Sequence, residues 1–227
     1  MTVAEMFTYV QEALNKEATG SIFPEEFEVL INASQLEKVQ NVYMEFEATQ
    51  KRIDDLRRIV VGPISVPNTG TNVSGQEIFQ LPIVASPAPG QSRGYMFLLS
   101  AGFKIQYVES KCGTGISNVL KGKPLRRDKR YEIANDPYNK PSENRLYYII
   151  EGDRLRLYTG TQSYGTEAVI EYLRYPVKIE LVSNTVDCEL PEHMHKEICD
   201  LATRKYLEQT QSPRFQTTTI EQRTINS

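Results

Sequence analysis

The chain has 227 residues, a formal net charge of -3, and hydrophobic and charged fractions of 40% and 24%. This composition is typical of a folded protein with a sizeable core, and the small negative charge excludes a global attraction to nucleic acid or anionic membranes. No apolar run approaches the roughly 20 residues of a transmembrane helix, and the N-terminus lacks the pattern of a secretory signal, so we expect an intracellular or assembled protein without membrane contact.

The first residues predict an amphipathic helix. Thr2 and Glu5 have the spacing of a capping box, in which a hydroxyl and a carboxylate satisfy reciprocal backbone donors at a helix start. Apolar residues from Val3 to Leu14 then form one stripe, and Gly20 supplies a stop.

A second helical stretch completes a predicted helical region over residues 1–58. Pro24 suits the first turn of a helix, which we expect to bend near Asn32, where the apolar pattern weakens. From residue 36 to residue 58 the apolar spacing is that of a helix-packing seam. An antiparallel hairpin closing on the first helix is favoured over an intermolecular coiled coil, because the seam turns polar at Gln50 and Arg57.

Residues 59–186 are predicted to form an antiparallel β body. The pattern changes there to short strands punctuated by Gly and Pro, with a polar loop over Asn68–Gly75 and a break between apolar strands near Gly102. Glu151–Gly152–Asp153 is typical of a tight hairpin turn. Five or more short strands at even spacing indicate a sandwich or small barrel, so the fold class is α+β.

A basic segment follows within this body. Six cations occur within ten positions: Lys121, Lys123, Arg126, Arg127, Lys129 and Arg130. They could neutralise phosphates of a nucleic acid in a salt-sensitive way. The alternative is a solvated loop or a strand edge whose charges discourage edge-to-edge pairing, which Asp128 and Glu132 favour.

The C-terminal part combines a strand, a helix and an arm. AVIEYLRYP predicts a strand that ends at Pro176, and Pro191 suits the start of an amphipathic helix. We expect residues 187–209 to form this helix and to pack on the helical region. Residues 210–227 are rich in Thr, Gln and Ser, and are predicted to form an extended polar arm.

Catalytic and metal-binding patterns are weak. Cys188, His193, His195 and Cys199 form the one metal-like cluster, but the two His side chains would point about 200° apart on a helix, so we predict no zinc site. An odd count of three Cys without paired spacing favours reduced thiols. We found no acid, base or nucleophile set, and predict neither a cofactor nor an enzymatic activity.

Three segments in order carry a family resemblance. MTVAEMFTYVQEALN, NDPYNKPSENRLYYIIEGDRLRLYTG, and YLRYP followed by ELPEHMHKEICDLATRKYLEQ resemble the head-to-tail connector proteins of short-tailed bacteriophages, in particular those of crAss-like phages. The resemblance implies a structural virion protein made in the host cytoplasm. It would form a homo-oligomeric adaptor ring of twelve copies at the portal-tail junction.

The resemblance also implies partners and contact residues. The ring would bind the portal protein and further tail or ring proteins, and would surround the DNA exit channel with transient contact between the basic segment and genomic DNA. In the family the C-terminal arm embraces the portal, a role that the resemblance transfers to Phe215, Thr218, Ile220 and Ile225. A nucleic-acid-binding module using Lys121–Arg130, with tyrosines as stacking surfaces, is the alternative function. An enzyme ranks last.

Overall fold

The computed structural model describes residues 1–16, 21–44, 55–71, 76–82, 94–107, 116–142, 144–160, 163–183 and 185–210. The fold is α+β, as predicted. It divides into a helical unit, Met1–Ile59 with Pro176–Ser227, and a β unit, Val60–Tyr175. The α-helices are α1 (Val3–Lys16), α2 (Pro24–Met44), α3 (Arg130–Asn135) and α4 (Glu192–Gln209). The strands are β1 (Val60–Thr71), β2 (Glu77–Gln80), β3 (Tyr95–Tyr107), β4 (Ile116–Lys121), β5 (Lys123–Pro124), β6 (Tyr147–Glu151), β7 (Arg154–Tyr158) and β8 (Ser163–Arg174).

Helix α1 begins with the predicted capping box. The Thr2 amide donates to Glu5 Oε2 at 2.8 Å, and the Glu5 amide donates to Thr2 Oγ1 at 3.3 Å. Two backbone donors that the helix leaves unpaired are thus satisfied. The predicted apolar stripe is buried, with Val3, Met6, Val10 and Leu14 fully inside the helical unit.

Helix α4 is the common partner of α1 and α2. The Tyr9 hydroxyl of α1 donates to Asp200 Oδ1 at 3.0 Å, and Lys205 pairs with Glu37 of α2 at 2.8 Å. The C-terminal helix therefore packs on both N-terminal helices.

The second half of the predicted helix-packing seam, residues 45–54, lies outside the described residues. The described chain resumes at Asp55 and forms a 3-10 turn over Arg57–Ile59.

The polar residues of α2 have a different role from the expected bend. The helix continues unbroken through Asn32, whose amide forms two hydrogen bonds with the backbone of Ile179. Asn32 Nδ2 donates to the Ile179 carbonyl oxygen, and the backbone amide of Ile179 donates to Asn32 Oδ1, both at 2.8 Å. One helical turn earlier, Glu28 Oε1 accepts the amides of Leu181 and Val182 at 2.6 and 2.7 Å.

These bonds correct the predicted end of the β body. We expected it to reach residue 186, but the β unit ends at Tyr175 and the segment from Pro176 belongs to the helical unit. Helix α2 binds this segment with Glu28 and Asn32, which lie four residues apart on one face. Strand β8 itself ends at Arg174, two residues before Pro176, as the missing amide of Pro predicts.

The strands form a mixed sheet in the order β4-β3-β8-β1-β2-β7-β6-β5. Pairing is antiparallel except between β5 and β6, which corrects the prediction of a purely antiparallel body. Parallel pairing arises because the connection from β5 to β6 is a long crossover that contains α3. Strands β4 and β5 stand at opposite ends of the order but are separated only by Gly122, so the sheet nearly closes into a barrel.

Apolar side chains from most strands fill the inside of the sheet. Its buried members include Phe79, Phe103, Ile105, Leu155, Leu157 and Ile170. Two glycines allow this packing where the backbone enters the core. A Cβ on Gly122 would lie 2.5 Å from the Phe103 ring, and one on Gly165 would lie 2.6 Å from Leu157 Cδ2.

Two strand boundaries differ from the predictions. The expected break near Gly102 is wrong, because β3 runs through it; this glycine lets β4 approach, since a Cβ would lie 2.5 Å from Val119 Cγ1. The first half of the predicted loop Asn68–Gly75 is strand: Asn68 to Thr71 pair with β2, and the Asn68 side chain accepts from the Gly70 amide. Residues 72–75 lie outside the described residues. The predicted hairpin turn is confirmed, with Gly152 at a φ of 61°.

Candidate functional site

The six predicted cations do not share one loop. Lys121 ends β4, Lys123 belongs to β5, Arg127 and Lys129 bound a 3-10 turn, and Arg130 starts α3. The backbone of this segment is tied to the sheet, because the Lys123 amide donates to the Leu146 carbonyl at 2.9 Å. The charges are therefore carried on a fixed part of the β unit.

The arginines of the segment have partners. Arg126 pairs with Asp128 at 3.4 Å, and both side chains are exposed, so water screens the pair. Arg127 Nη2 donates to the Ile150 carbonyl of β6 at 3.1 Å, on the strand edge beside β5. The Arg130 guanidinium lies 5.6 and 5.8 Å from the ring centroids of Tyr131 and Tyr158. This contact of Arg127 is compatible with the alternative interpretation, in which charges of the segment protect a strand edge.

The lysines provide available positive charge. Lys121, Lys123 and Lys129 are exposed and form no ion pair with any residue that the structure describes. Two residues after Lys129, Tyr131 is 72% exposed. Exposed ammonium groups and an exposed aromatic ring within one segment suit an anionic partner with planar groups.

A groove opens on the outer face of the sheet next to Lys121. It has a volume of about 390 Å³ and is lined mainly by Ser100, Gly102, Val119, Lys121, Val169 and Glu171. Gly102, which has no side chain to fill the space, is one of the lining residues. The Ser100 hydroxyl donates to Glu171 Oε2 at 3.0 Å, so the groove is lined by a hydrogen-bonded carboxylate as well as by Lys121.

The zinc-like cluster is divided among separate partners. His195 is buried with Nε2 2.8 Å from the Leu190 carbonyl oxygen, whereas His193 Nε2 lies 2.8 Å from Asp55 Oδ1. Burial raises the pKa of the Cys188 thiol to about 11 and that of Cys199 to about 12, so both are neutral thiols at physiological pH. Across the described ranges, no three His, Cys, Asp or Glu side chains converge in a way that could hold a metal ion.

The C-terminal arm is reached through α4. Ile198, Cys199 and Leu207 are fully buried along this helix, while Glu208, Gln209 and Thr210 are exposed. The helix thus ends at the surface of its unit. The predicted portal contacts, Phe215, Thr218, Ile220 and Ile225, lie outside the described residues.

Sequence reasoning missed several exposed apolar side chains of the helical unit. They are Phe23, Val29, Met44 and Val182, which are between 53% and 81% exposed. Val29 follows Glu28 in α2, and Val182 is bound to Glu28 through its amide. An apolar residue in a helix usually indicates the core, and only the packing of α2 on α4 reveals that Val29 faces away from it.

No family model matches the chain, and no curated protein matches it. Among the described helices, none is long and apolar enough to cross a membrane.

Proposed function

We propose that the chain is a structural adaptor of a phage head-to-tail connector, in which copies form a ring between portal and tail around the DNA exit channel. The observation that supports this best is the position of the segment with the strongest resemblance. ELPEHMHKEICDLATRKYLEQ contains α4, on which α1 and α2 pack, and it leads directly into the arm.

The anchoring of α4 suits a role for the arm in binding. Leu207 is buried, and α4 is held in the helical unit by its packing on α1 and α2. A partner can therefore bind residues beyond Thr210 without disturbing the helical unit. A polar segment with spaced apolar residues can contact a large surface at moderate affinity. Phe215 and Ile220 are the apolar residues that we assign to the portal.

The exposed apolar side chains supply contacts for neighbouring copies. Phe23, Val29, Met44 and Val182 all belong to the helical unit, and burying such side chains contributes about 25 cal/mol per Å² of apolar surface. We therefore assign ring contacts to this unit. The basic segment of the β unit is then available to the DNA in the channel, where many copies would add their charges.

Mass measurement tests the assembly. The full chain, mixed with the portal protein of the same phage, is expected to give a complex whose mass corresponds to a ring of copies. A chain lacking residues 213–227 should keep its circular dichroism spectrum and thermal stability but fail to join the portal. A full chain that stays monomeric and indifferent to portal would contradict the adaptor, and a truncated chain that still joins would contradict the role of the arm alone.

Point substitutions test whether the two apolar residues of the arm, and not its polar composition in general, bind the portal. Phe215→Ala with Ile220→Ala should weaken portal binding strongly, because the apolar anchors are removed. Thr217→Ala with Thr219→Ala provides the matched control in the same arm, and should leave binding near that of the parent chain. Equal reductions in the two variants would mean that the anchors are wrongly assigned.

A nucleic-acid-binding module is the second candidate, favoured by three exposed lysines and the exposed Tyr131 in the same segment. Replacement of Lys121, Lys123 and Lys129 by Gln should lower the salt dependence of DNA binding by about 0.7–0.9 for each phosphate that is no longer neutralised. Arg127 is unsuitable for this test, because it also binds the edge of β6. The control replaces three exposed lysines elsewhere with the same change in charge: Lys140, Lys178 and Lys196. An equal effect of both sets would exclude a local site.

A further inference from the structure

A carboxyl group is buried at one end of the near-barrel. Glu77 is the first residue of β2, and its side chain is only 3% exposed. It lies on the same face of the strand as Phe79, two residues later, which belongs to the core. A glutamate on the inward face of a strand is unusual and needs compensation for the water that it loses.

The compensation is too weak for an ionised carboxylate. Oε1 accepts one hydrogen bond from the Gly165 amide at 3.3 Å and lies 3.4 Å from Thr159 Oγ1. The single hydroxyl hydrogen of Thr159 has a closer acceptor, the Ser163 carbonyl oxygen at 2.9 Å. Oε2 has no hydrogen-bond partner among the described residues. These long contacts to Oε1, together with one from the backbone amide of Glu77 itself, are weaker than the hydrogen bonds that a carboxylate obtains in water.

Among the residues that the structure describes, none places a countercharge beside the group. The described residues packed around it from β1, β7 and β8 are uncharged, and the sequence has no Asp, Glu, Lys or Arg over residues 71–76 or 159–164. Arg156 of β7 occupies the other face of its strand and pairs with Glu151 at 2.9 Å. On the outer face, Lys104 pairs with Glu167, and Tyr164 is 40% exposed.

A neutral carboxylic acid fits this environment. Its hydroxyl can donate to Thr159 Oγ1, which has a free lone pair because its own hydrogen goes to Ser163. Protonation on Oε1 would still leave Oε2 unpaired, but a neutral carbonyl oxygen loses far less on burial than a charge does. Burial raises the pKa of Glu77, which agrees with this state.

We propose that Glu77 is a proton-dependent latch: as the neutral acid it holds the start of β2 against Thr159 and the start of β8, and ionisation loosens this end of the sheet. Both strands begin here, at Glu77 and Ser163, so the latch acts where two strands leave the barrel. Loss of the proton places an uncompensated charge between them. The strand starts must then separate enough to admit water.

The dependence on pH has a definite sign. The ordinary pKa of the carboxyl is 4.5, and the folded value lies above it. Between these values the folded chain holds a proton that the unfolded chain has released. The contribution of Glu77 to stability is therefore greatest below the ordinary pKa of the carboxyl, and falls as pH rises through the raised pKa of the folded state.

Two glutamine substitutions test the latch against each other. Glu77→Gln keeps the shape and removes the charge, so its denaturation midpoint should match the parent chain at about pH 4 and exceed it at about pH 8. Glu167→Gln is the matched control on the same sheet. Hydrogen bonds from Lys104 and Ser65 lower the pKa of Glu167, so this variant should be less stable than the parent at neutral pH.

A second measurement follows the proton directly. Titration of the Glu77 side-chain carbon signal by NMR should show ionisation above the ordinary carboxyl pKa, together with faster exchange of the Gly165 amide once the group has ionised. An ordinary titration overturns the proposal. So does a Glu77→Gln variant that is less stable than the parent at neutral pH or fails to fold there, because a site that holds a neutral acid must accept the isosteric amide.

Discussion

Asn32 provides the sharpest test of how the helical unit is held together. The substitution Asn32→Leu keeps a side chain of similar size but removes both hydrogen bonds to the Ile179 backbone. Ile179 is fully buried in the folded structure, so its amide and carbonyl would lose their partners and would regain water only if the segment moved. The bond from Asn32 to the Glu28 carbonyl adds little, because that carbonyl already belongs to the helix.

The expected destabilisation follows from the two unpaired groups. Each buried group left without a partner costs about 1–3 kcal/mol, so the sum is about 2–6 kcal/mol. We expect the lower half of this range, because Asn32 is only partly buried and the segment can shift towards water. A destabilisation of this size is a large share of the stability of an ordinary domain.

Urea denaturation at neutral pH, followed by circular dichroism, measures this change. Asn41→Leu is the matched control, since Asn41 lies on the exposed side of the same helix and receives the same chemical change. Its free energy of unfolding should stay within about 0.5 kcal/mol of the parent. If Asn32→Leu stayed within the same limit, the side chain would not hold the segment. Faster exchange of the Ile179 amide should accompany the destabilisation.

Three further substitutions test other contacts. Gly102→Ala should destabilise the β unit by about 1–3 kcal/mol through its clash with Val119, and Val119→Ala should relieve most of that effect in a double-mutant cycle; an additive double variant would argue against the clash. Thr2→Ala should cost about 0.5–2 kcal/mol by removing the cap of α1, whereas Thr8→Ala, within the same helix, should cost little; equal effects would refute the capping role. Burial and Asp200 raise the pKa of Tyr9 to about 12, so the parent chain should lose stability as pH rises from 10 to about 12, whereas Tyr9→Phe should not show this loss. Tyrosine absorbance and the free energy of unfolding, measured against pH, would follow this change. Identical pH profiles of stability for the two chains would contradict it.

Features set by nearby residues were predictable. The capping box at Thr2, the apolar stripe of α1, the hairpin at Gly152 and the strand end before Pro176 each depend on a few neighbouring positions. Their physical causes, namely backbone donors, helical period and backbone conformational freedom, act within one or two turns of chain. The α+β class followed from the same local signals.

Features set by distant partners were not predictable. Gly102 suggested a break between two strands, because a glycine weakens a strand interior. Its actual role is to leave room for Val119 of the neighbouring strand. The basic segment had the composition of a contact surface, but its arginines are partly used by β6 and by tyrosine rings. The composition of a segment does not show which of its charged side chains contact the protein itself and which are left for an external partner.

The sequence by itself determined the start of α1, the turn at Gly152 and the end of β8 before Pro176, because each of these depends on neighbouring residues. Only the tertiary structure decided that the segment after Tyr175 joins the helical unit, through an amide 147 positions away, and that Glu77 faces the inside of the sheet. The reason is that a hydrogen bond or a buried charge depends on which groups share a place after folding, and the spacing of residues along the chain does not contain that information.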